Sequence, residues 1–87
     1  MTRKAIRFTA DWCGPCKAYA PTFNKVAEEK TDWQFESVNI DSNSELAEKY
    51  GIRSIPATVL EVDDKTVAKY VGVLSSSDLS SKLDEWK

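Results

Sequence analysis

The chain reads WCGPCK at residues 12–17, directly after a short apolar run and directly before an amphipathic helical pattern. Cys13 and Cys16 are the only two cysteines in the sequence. At this spacing in the first turn of a helix, their Cβ atoms lie about 5 to 6 Å apart, so a disulfide closes there with some strain. Strain and exposure favour a disulfide that forms and breaks repeatedly over one that is a permanent crosslink.

The helix that follows the first cysteine gives the two sulfurs different roles. Free N–H groups and the positive end of the helix dipole favour the thiolate of Cys13, so we expect Cys13 to be the accessible nucleophile. Cys16 lies one turn further along and is expected to be more shielded, which suits it to resolve a mixed disulfide. Pro15 fits a position where a helical N–H has no partner, and Gly14 leaves the approach to the sulfur open.

Hydrophobic periodicity predicts the order βαβαββα. Strands are predicted at residues 4–9, 34–40, 57–62 and 66–71, and the last two form a hairpin around a turn at residues 63–65. Three helices are predicted. The first begins at residue 14 and has a kink at Pro21, the second has a capped start at residues 42–45, and the third begins at a capping box at Ser75. A crossover helix makes the first two strands parallel, so the sheet is mixed, four-stranded and flanked by three helices, an α/β fold.

Composition excludes several classes of function. Eighty-seven residues correspond to a single domain, residues 1–87. The 12 basic and 14 acidic residues are interleaved, which argues against a nucleic-acid partner. The sequence has no histidine and no second pair of cysteines, so no metal site is expected. No apolar run is long enough for a membrane span or a signal peptide, so we expect a cytoplasmic protein.

Over residues 6–83 the chain resembles thioredoxins. The resemblance rests on WCGPCK with Pro21 after it, on Asn-Ile-Asp at residues 39–41, on GIRSIP at residues 51–56, and on Val-Gly at residues 71–72. It implies a minimal thioredoxin fold, reduction of protein disulfides by Cys13 and Cys16, and a cis bond before Pro56. It also implies an active-site motif that includes Trp12, Gly14, Pro15 and Lys17, and a substrate groove lined by Trp12, Ile55, Pro56, Val71 and Gly72.

Two departures from the family pattern stand out. Thioredoxins begin with an additional strand and helix, whereas twelve residues precede Cys13 here, so we expect one face of the sheet to be less covered. Thioredoxins also carry a buried acid six residues before the first cysteine and a lysine on the next strand; Arg7 and Ser37 stand at these positions. A guanidinium near the cysteines would favour the thiolate and a more oxidising potential. Alternatively, Arg7 packs its stem and extends its head into water.

Asp11 is a second residue that could tune the thiols, as a proton relay for Cys16; the alternative is a solvated loop acid.

The sequence as a whole predicts a monomeric thiol–disulfide oxidoreductase that acts on protein disulfides without a cofactor, because the dithiol itself carries the two electrons. A thioredoxin-reductase-like enzyme or glutathione would recharge it. Two alternatives stay open: a glutaredoxin-like enzyme that reduces glutathione mixed disulfides, and a partner-binding module in which redox activity is incidental.

Overall fold

Seven elements follow one another along residues 1–86, the part of the chain that the computed structural model describes. The strands are β1 (Arg3–Thr9), β2 (Gln34–Asn39), β3 (Ala57–Val62) and β4 (Lys65–Val71), and the helices are α1 (Gly14–Glu29), α2 (Ser44–Lys49) and α3 (Ser76–Asp84). The predicted order βαβαββα and the mixed four-stranded sheet with three helices are therefore confirmed. The predicted strand ends agree with the structure to within one residue.

The sheet places β1 between β2 and β3, in the order β2-β1-β3-β4. The pairing of β1 with β2 is parallel, because α1 crosses over between them, and the other two pairings are antiparallel. The C-terminal end of the central strand β1 therefore leads directly into the segment that carries the cysteines.

Two apolar clusters lie on opposite faces of this sheet. Successive side chains of a strand point to opposite faces, and in β1 Ala5 belongs to the cluster under α1 and α3, whereas Ile6 and Phe8 belong to the other. Ile40, Tyr50, Ile52 and Ile55 pack against this second cluster from the segments around α2. Because side chains alternate between the two faces along β1, Arg7 lies on the same face as Ala5, beneath α1.

The hairpin between β3 and β4 has a shorter loop than the sequence suggested. Val62 pairs with Lys65, so only Asp63 and Asp64 lie in the loop, and the predicted turn at residues 63–65 is one residue too long. Both aspartates have positive φ, 52° and 67°. A two-residue loop of this kind needs positive φ at both positions to match the twist of the strands, and aspartate tolerates that conformation better than most residues.

The helices begin and end largely as expected. α1 runs through Pro21 without interruption, and the kink expected there stays a prediction. The side chain of Ser75 accepts a hydrogen bond from the backbone N–H of Asp78, as predicted for the start of α3. Asn43, the N-cap residue before α2, makes no side-chain capping bond, so the predicted capping of this helix is wrong. Within residues 1–86, no helix has the length and apolar character needed to cross a membrane.

Candidate active site

The two cysteines form a disulfide at the start of α1. The chain leaves β1, turns through a hydrogen bond from Cys13 N–H to the Ala10 carbonyl of 3.2 Å, and enters the helix at Gly14 and Pro15. Cys13 has extended backbone geometry and caps the helix, and its Sγ accepts a hydrogen bond from the backbone N–H of Cys16 at 3.2 Å. The Cα atoms of the two cysteines are 5.3 Å apart. The helix start therefore directs an N–H group at the first sulfur, as the sequence predicted.

The disulfide is more enclosed than the sequence suggested. Cys13 is 6% exposed and Cys16 is fully buried, so the predicted difference in shielding is confirmed, but the expected open exposure of Cys13 is not seen. The two cysteines form an apolar cluster with Ala10, Ile40 and Ile55, which come from three separate segments of the chain. These segments close around the sulfurs, and of the two cysteines only Cys13 retains a small exposed area.

The loop before β3 lies against the first sulfur. The Ile55–Pro56 bond is cis, as the family resemblance implied. Cys13 Sγ lies 4.0 Å from the carbonyl oxygen of Ile55. Gly72, with φ of 101°, donates its N–H to the carbonyl of Pro56 at 2.8 Å, a conformation that favours glycine. The structure therefore joins the segments 55–56 and 71–72 beside the disulfide.

Two large apolar side chains are exposed around this opening. Trp12 is 68% exposed, and Val71 is 63% exposed. Gly14, Pro15 and Lys17 are also exposed at the start of α1, and no atom lies within 4 Å of where a Cβ of Gly14 would be. The predicted location of Trp12 at the surface is confirmed. Trp33 is buried, and it packs in the cluster under α1 and α3 together with Trp86.

A polar network behind Trp12 was not predicted. The indole Nε1–H of Trp12 donates to Asp41 Oδ2 at 2.9 Å. The side-chain oxygen of Asn39 accepts a hydrogen bond from the backbone N–H of Asp41 at 2.9 Å. Asn39 and Asp41 fall in one of the motifs that carry the family resemblance, and this was the available signal for their place beside Trp12.

Asp11 lies on the surface at the edge of the same network. Its carboxylate accepts a hydrogen bond of 3.4 Å from the Asn39 side chain. The side chain is exposed, and it bonds to Asn39 and not to Cys16. A role for Asp11 as a proton relay stays a prediction.

Arg7 is buried, which corrects the alternative that its head extends into water. The residue is 8% exposed, because its side chain lies between β1 and α1 on the face that the helix covers. The guanidinium donates to Ser37 Oγ at 3.2 Å and, at 3.4 Å, to the backbone carbonyl of Cys16, and its Cζ lies 5.7 Å from the centre of the Phe23 ring. Burial lowers the pKa of Arg7, and the nearby Tyr19 hydroxyl partly opposes that shift.

Together these features form a largely enclosed disulfide whose Cys13 side is the one that an external thiol can attack. Cys13 keeps the small exposed area of the pair, and its Sγ accepts a hydrogen bond from a backbone N–H, which is the arrangement that stabilises a thiolate. The other sulfur is enclosed and bonded to the first, so it can displace a group attached to it. Exposed apolar side chains and a cis-proline loop surround the opening.

Comparisons with known proteins agree with this description. Residues 2–85 match the family model described as Thioredoxin. A thioredoxin of Mycoplasmoides gallisepticum is 40% identical over 78 residues, which cover 90% of this chain and 78% of that protein. A thioredoxin of Pseudomonas aeruginosa is 41% identical over 83 residues, covering 91% and 74%. The crystal structure of Fasciola hepatica thioredoxin superimposes with a TM-score of 0.92 at 31% identity, covering 99% of this chain and 82% of that one.

Proposed function

This chain belongs to the thioredoxin family, and from that premise we propose that Cys13 attacks substrate disulfides and that Cys16 resolves the resulting mixed disulfide. The protein is a thiol–disulfide oxidoreductase that reduces disulfides in proteins. The observation that supports the division of roles is the unequal burial of the two cysteines. A substrate sulfur can approach Cys13 from the surface, whereas Cys16 is reached only through its partner.

The backbone supports the choice of Cys13 as the nucleophile. The N–H of Cys16 lies 3.2 Å from Cys13 Sγ and can donate to a thiolate there after reduction. The sulfur also lies at the positive end of the α1 dipole, where an anion is stabilised. Both effects favour the reactive thiolate form of Cys13 at neutral pH.

The proposed reaction conserves atoms and electrons. The Cys13 thiolate forms a bond to one sulfur of the substrate disulfide, and the other substrate sulfur leaves as a thiolate. Cys16 then loses its proton and attacks Cys13 Sγ, which releases the second substrate sulfur as a thiolate and forms the Cys13–Cys16 disulfide. The substrate gains two electrons and takes up two protons, and the dithiol is oxidised.

The surface around the opening suits an extended substrate segment. We assign substrate contacts to Trp12, Ile55, Pro56, Val71 and Gly72, of which Trp12 and Val71 offer the largest exposed apolar area. The carbonyl of Ile55 lies 4.0 Å from the sulfur, so a substrate strand could hydrogen-bond to the backbone of Ile55 while its disulfide meets Cys13. Gly14 and Pro15 keep the approach open, and Lys17 adds a positive charge at the rim.

The remaining parts of the proposal concern the cellular setting. We propose that the protein acts as a monomer on disulfide-containing proteins, and that a thioredoxin-reductase-like enzyme or glutathione supplies its electrons. A dithiol that must return to its reduced form suits the reducing cytoplasm. In this setting it would take part in electron transport to oxidised proteins and in cell redox homeostasis.

A trapping experiment tests the assigned roles. In Cys16→Ser, attack by Cys13 on a substrate disulfide should produce a mixed disulfide that persists, and mass spectrometry of the adduct identifies the substrate. Cys13→Ser is the matched control and should trap nothing, because the remaining sulfur is buried. Adducts on Cys16 in the control at a similar yield would contradict the assignment.

The same variants separate the alternatives. Catalytic turnover of a glutathione mixed disulfide by Cys16→Ser would favour the glutaredoxin-like function, because that chemistry needs only the first cysteine. Partner binding that survives replacement of both cysteines by serine would favour the binding module. If the function proposed here is right, wild type should catalyse the reduction of insulin disulfides by dithiothreitol, and the cysteine variants should not.

A further inference from the structure

Arg7 carries a buried positive charge directly beneath the redox-active turn. Its partners are a serine hydroxyl, a backbone carbonyl and the face of an aromatic ring, at Ser37, Cys16 and Phe23. All three are neutral. An arginine side chain stays charged in proteins, so burial leaves a full positive charge in a region of low dielectric constant.

No carboxylate compensates this charge in the described part of the chain. The ion pairs found within residues 1–86 join Arg3 to Asp32, Lys4 to Glu36 and Lys30 to Asp84, and Arg7 is in none of them. A buried charge without an opposite charge is costly. The structure described here contains the disulfide, in which both sulfurs are neutral.

Reduction of the disulfide creates the missing negative charge. Two electrons and one proton, taken from a dithiol or from two glutathione molecules, convert the disulfide into one thiol and one thiolate. The guanidinium contacts the backbone of Cys16, and the new anion forms within the same helical turn. The charge of Arg7 therefore interacts with the reduced site more favourably than with the oxidised site.

We propose that Arg7 sets the reduction potential of the Cys13–Cys16 pair, by providing a buried counter-charge that the site uses only in its reduced form. This inference rests on the redox function proposed above and adds a residue that determines the direction in which the protein drives exchange. Arg7 makes the protein a weaker reductant than the same chain without the charge. A purely structural role, in which Arg7 ties β1 and β2 to α1, would change stability and leave the potential unchanged.

The test measures the equilibrium of each variant with reduced and oxidised glutathione, with the oxidised fraction read from thiol alkylation and mass. Arg7→Met removes the charge and keeps a similar unbranched shape. We expect it to shift the equilibrium constant about tenfold toward the disulfide, which corresponds to a potential lower by about 30 mV. Arg7→Lys keeps the charge and should shift the constant less than threefold.

The matched control is Lys25→Met. Lys25 is an exposed cation on α1, so its replacement removes the same formal charge from the same helix at a solvated position. This variant should shift the equilibrium constant less than twofold, because exposed charges are screened. Far-ultraviolet circular dichroism establishes that each variant is folded, and Arg7→Gln replaces Arg7→Met if the latter is not.

A shift of threefold or more toward the disulfide in the uncharged variant, absent in Lys25→Met, supports the proposal. A smaller shift or a shift toward the dithiol overturns it, and so does an equal shift in Lys25→Met. Neither result affects the assigned redox function as long as wild type exchanges with glutathione and Cys16→Ser traps substrates. If wild type does not exchange with glutathione and Cys16→Ser traps no substrate, the proposed function itself is wrong.

Discussion

The hydrogen bond between Tyr19 and Thr58 is expected to be a major support of the redox-active helix. Their hydroxyl oxygens lie 2.8 Å apart, and both residues are fully buried. Tyr19 lies on α1 one turn after Cys16, and Thr58 lies on β3, so the bond ties the helix to the sheet. Burial raises the pKa of Tyr19, while the Thr58 bond and the charge of Arg7 oppose that shift, so the phenol stays protonated at neutral pH.

The substitution Tyr19→Phe removes one hydroxyl and leaves the ring in place. The Thr58 hydroxyl then has no partner in a buried site, which costs about 1 to 3 kcal/mol of the free energy of unfolding. For a chain of 87 residues, the unfolding entropy is about 0.18 kcal/mol/K. A loss of about 1.5 kcal/mol therefore lowers Tm by about 8 °C.

Urea unfolding of the oxidised protein at pH 7 measures this loss, and a double-mutant cycle isolates its cause. Thr58→Val should cost a similar amount, and the double variant should cost at least about 1 kcal/mol less than the two single losses together, because no unpaired hydroxyl remains. Tyr70→Phe is the control, since Tyr70 is only partly buried, and should change stability by less than about 0.5 kcal/mol. Losses that simply add, or a Tyr19→Phe variant as stable as the control, would refute the reasoning.

Two further predictions concern other parts of the fold. Burial and the hydrogen bond to Glu61 raise the pKa of Tyr50 to about 12, so between pH 10 and 12 the unfolded chain ionises at Tyr50 while the folded chain does not. Stability should therefore fall as the pH rises through this range, and the pH dependence of urea unfolding in Tyr50→Phe should lack this contribution. Gly72→Ala should cost about 1 to 3 kcal/mol because φ is 101° at Gly72, whereas Gly14→Ala, at an open position without positive φ, should cost less; equal losses in thermal unfolding would contradict this.

Local sequence patterns predict most of this fold because each element carries its own periodicity. The apolar residues of α1 recur with helical spacing, and residues 57–62 form a β-branched and apolar run that matches β3. A crossover helix between two strands leaves a single favoured arrangement, which is why the parallel pairing of β1 with β2 followed from the order of elements. The loop between β3 and β4 was less predictable, because the conformation of Asp63 and Asp64 depends on the twist of the paired strands.

The site was predictable where a role depends on position along the chain. The difference in burial between Cys13 and Cys16 follows from one turn of helix, and the exposure of Trp12 follows from its position on the loop before that helix. The surroundings of Arg7 and Asp41 depend on contacts with distant segments. Arg7 is buried because the alternation of side chains along β1 directs it to the face beneath α1. Which face of the sheet that helix covers could not be predicted from the sequence.

Backbone groups form most of the contacts around the disulfide. The N–H of Cys16 meets the first sulfur, the carbonyl of Ile55 lies beside it, and the N–H of Gly72 holds the carbonyl of Pro56. Such contacts depend on the path of the chain and only weakly on side-chain identity. The same geometry can therefore persist in relatives that share about 40% of their residues with this chain. A buried charge such as Arg7 can then change the energy of the reduced state while leaving that geometry intact.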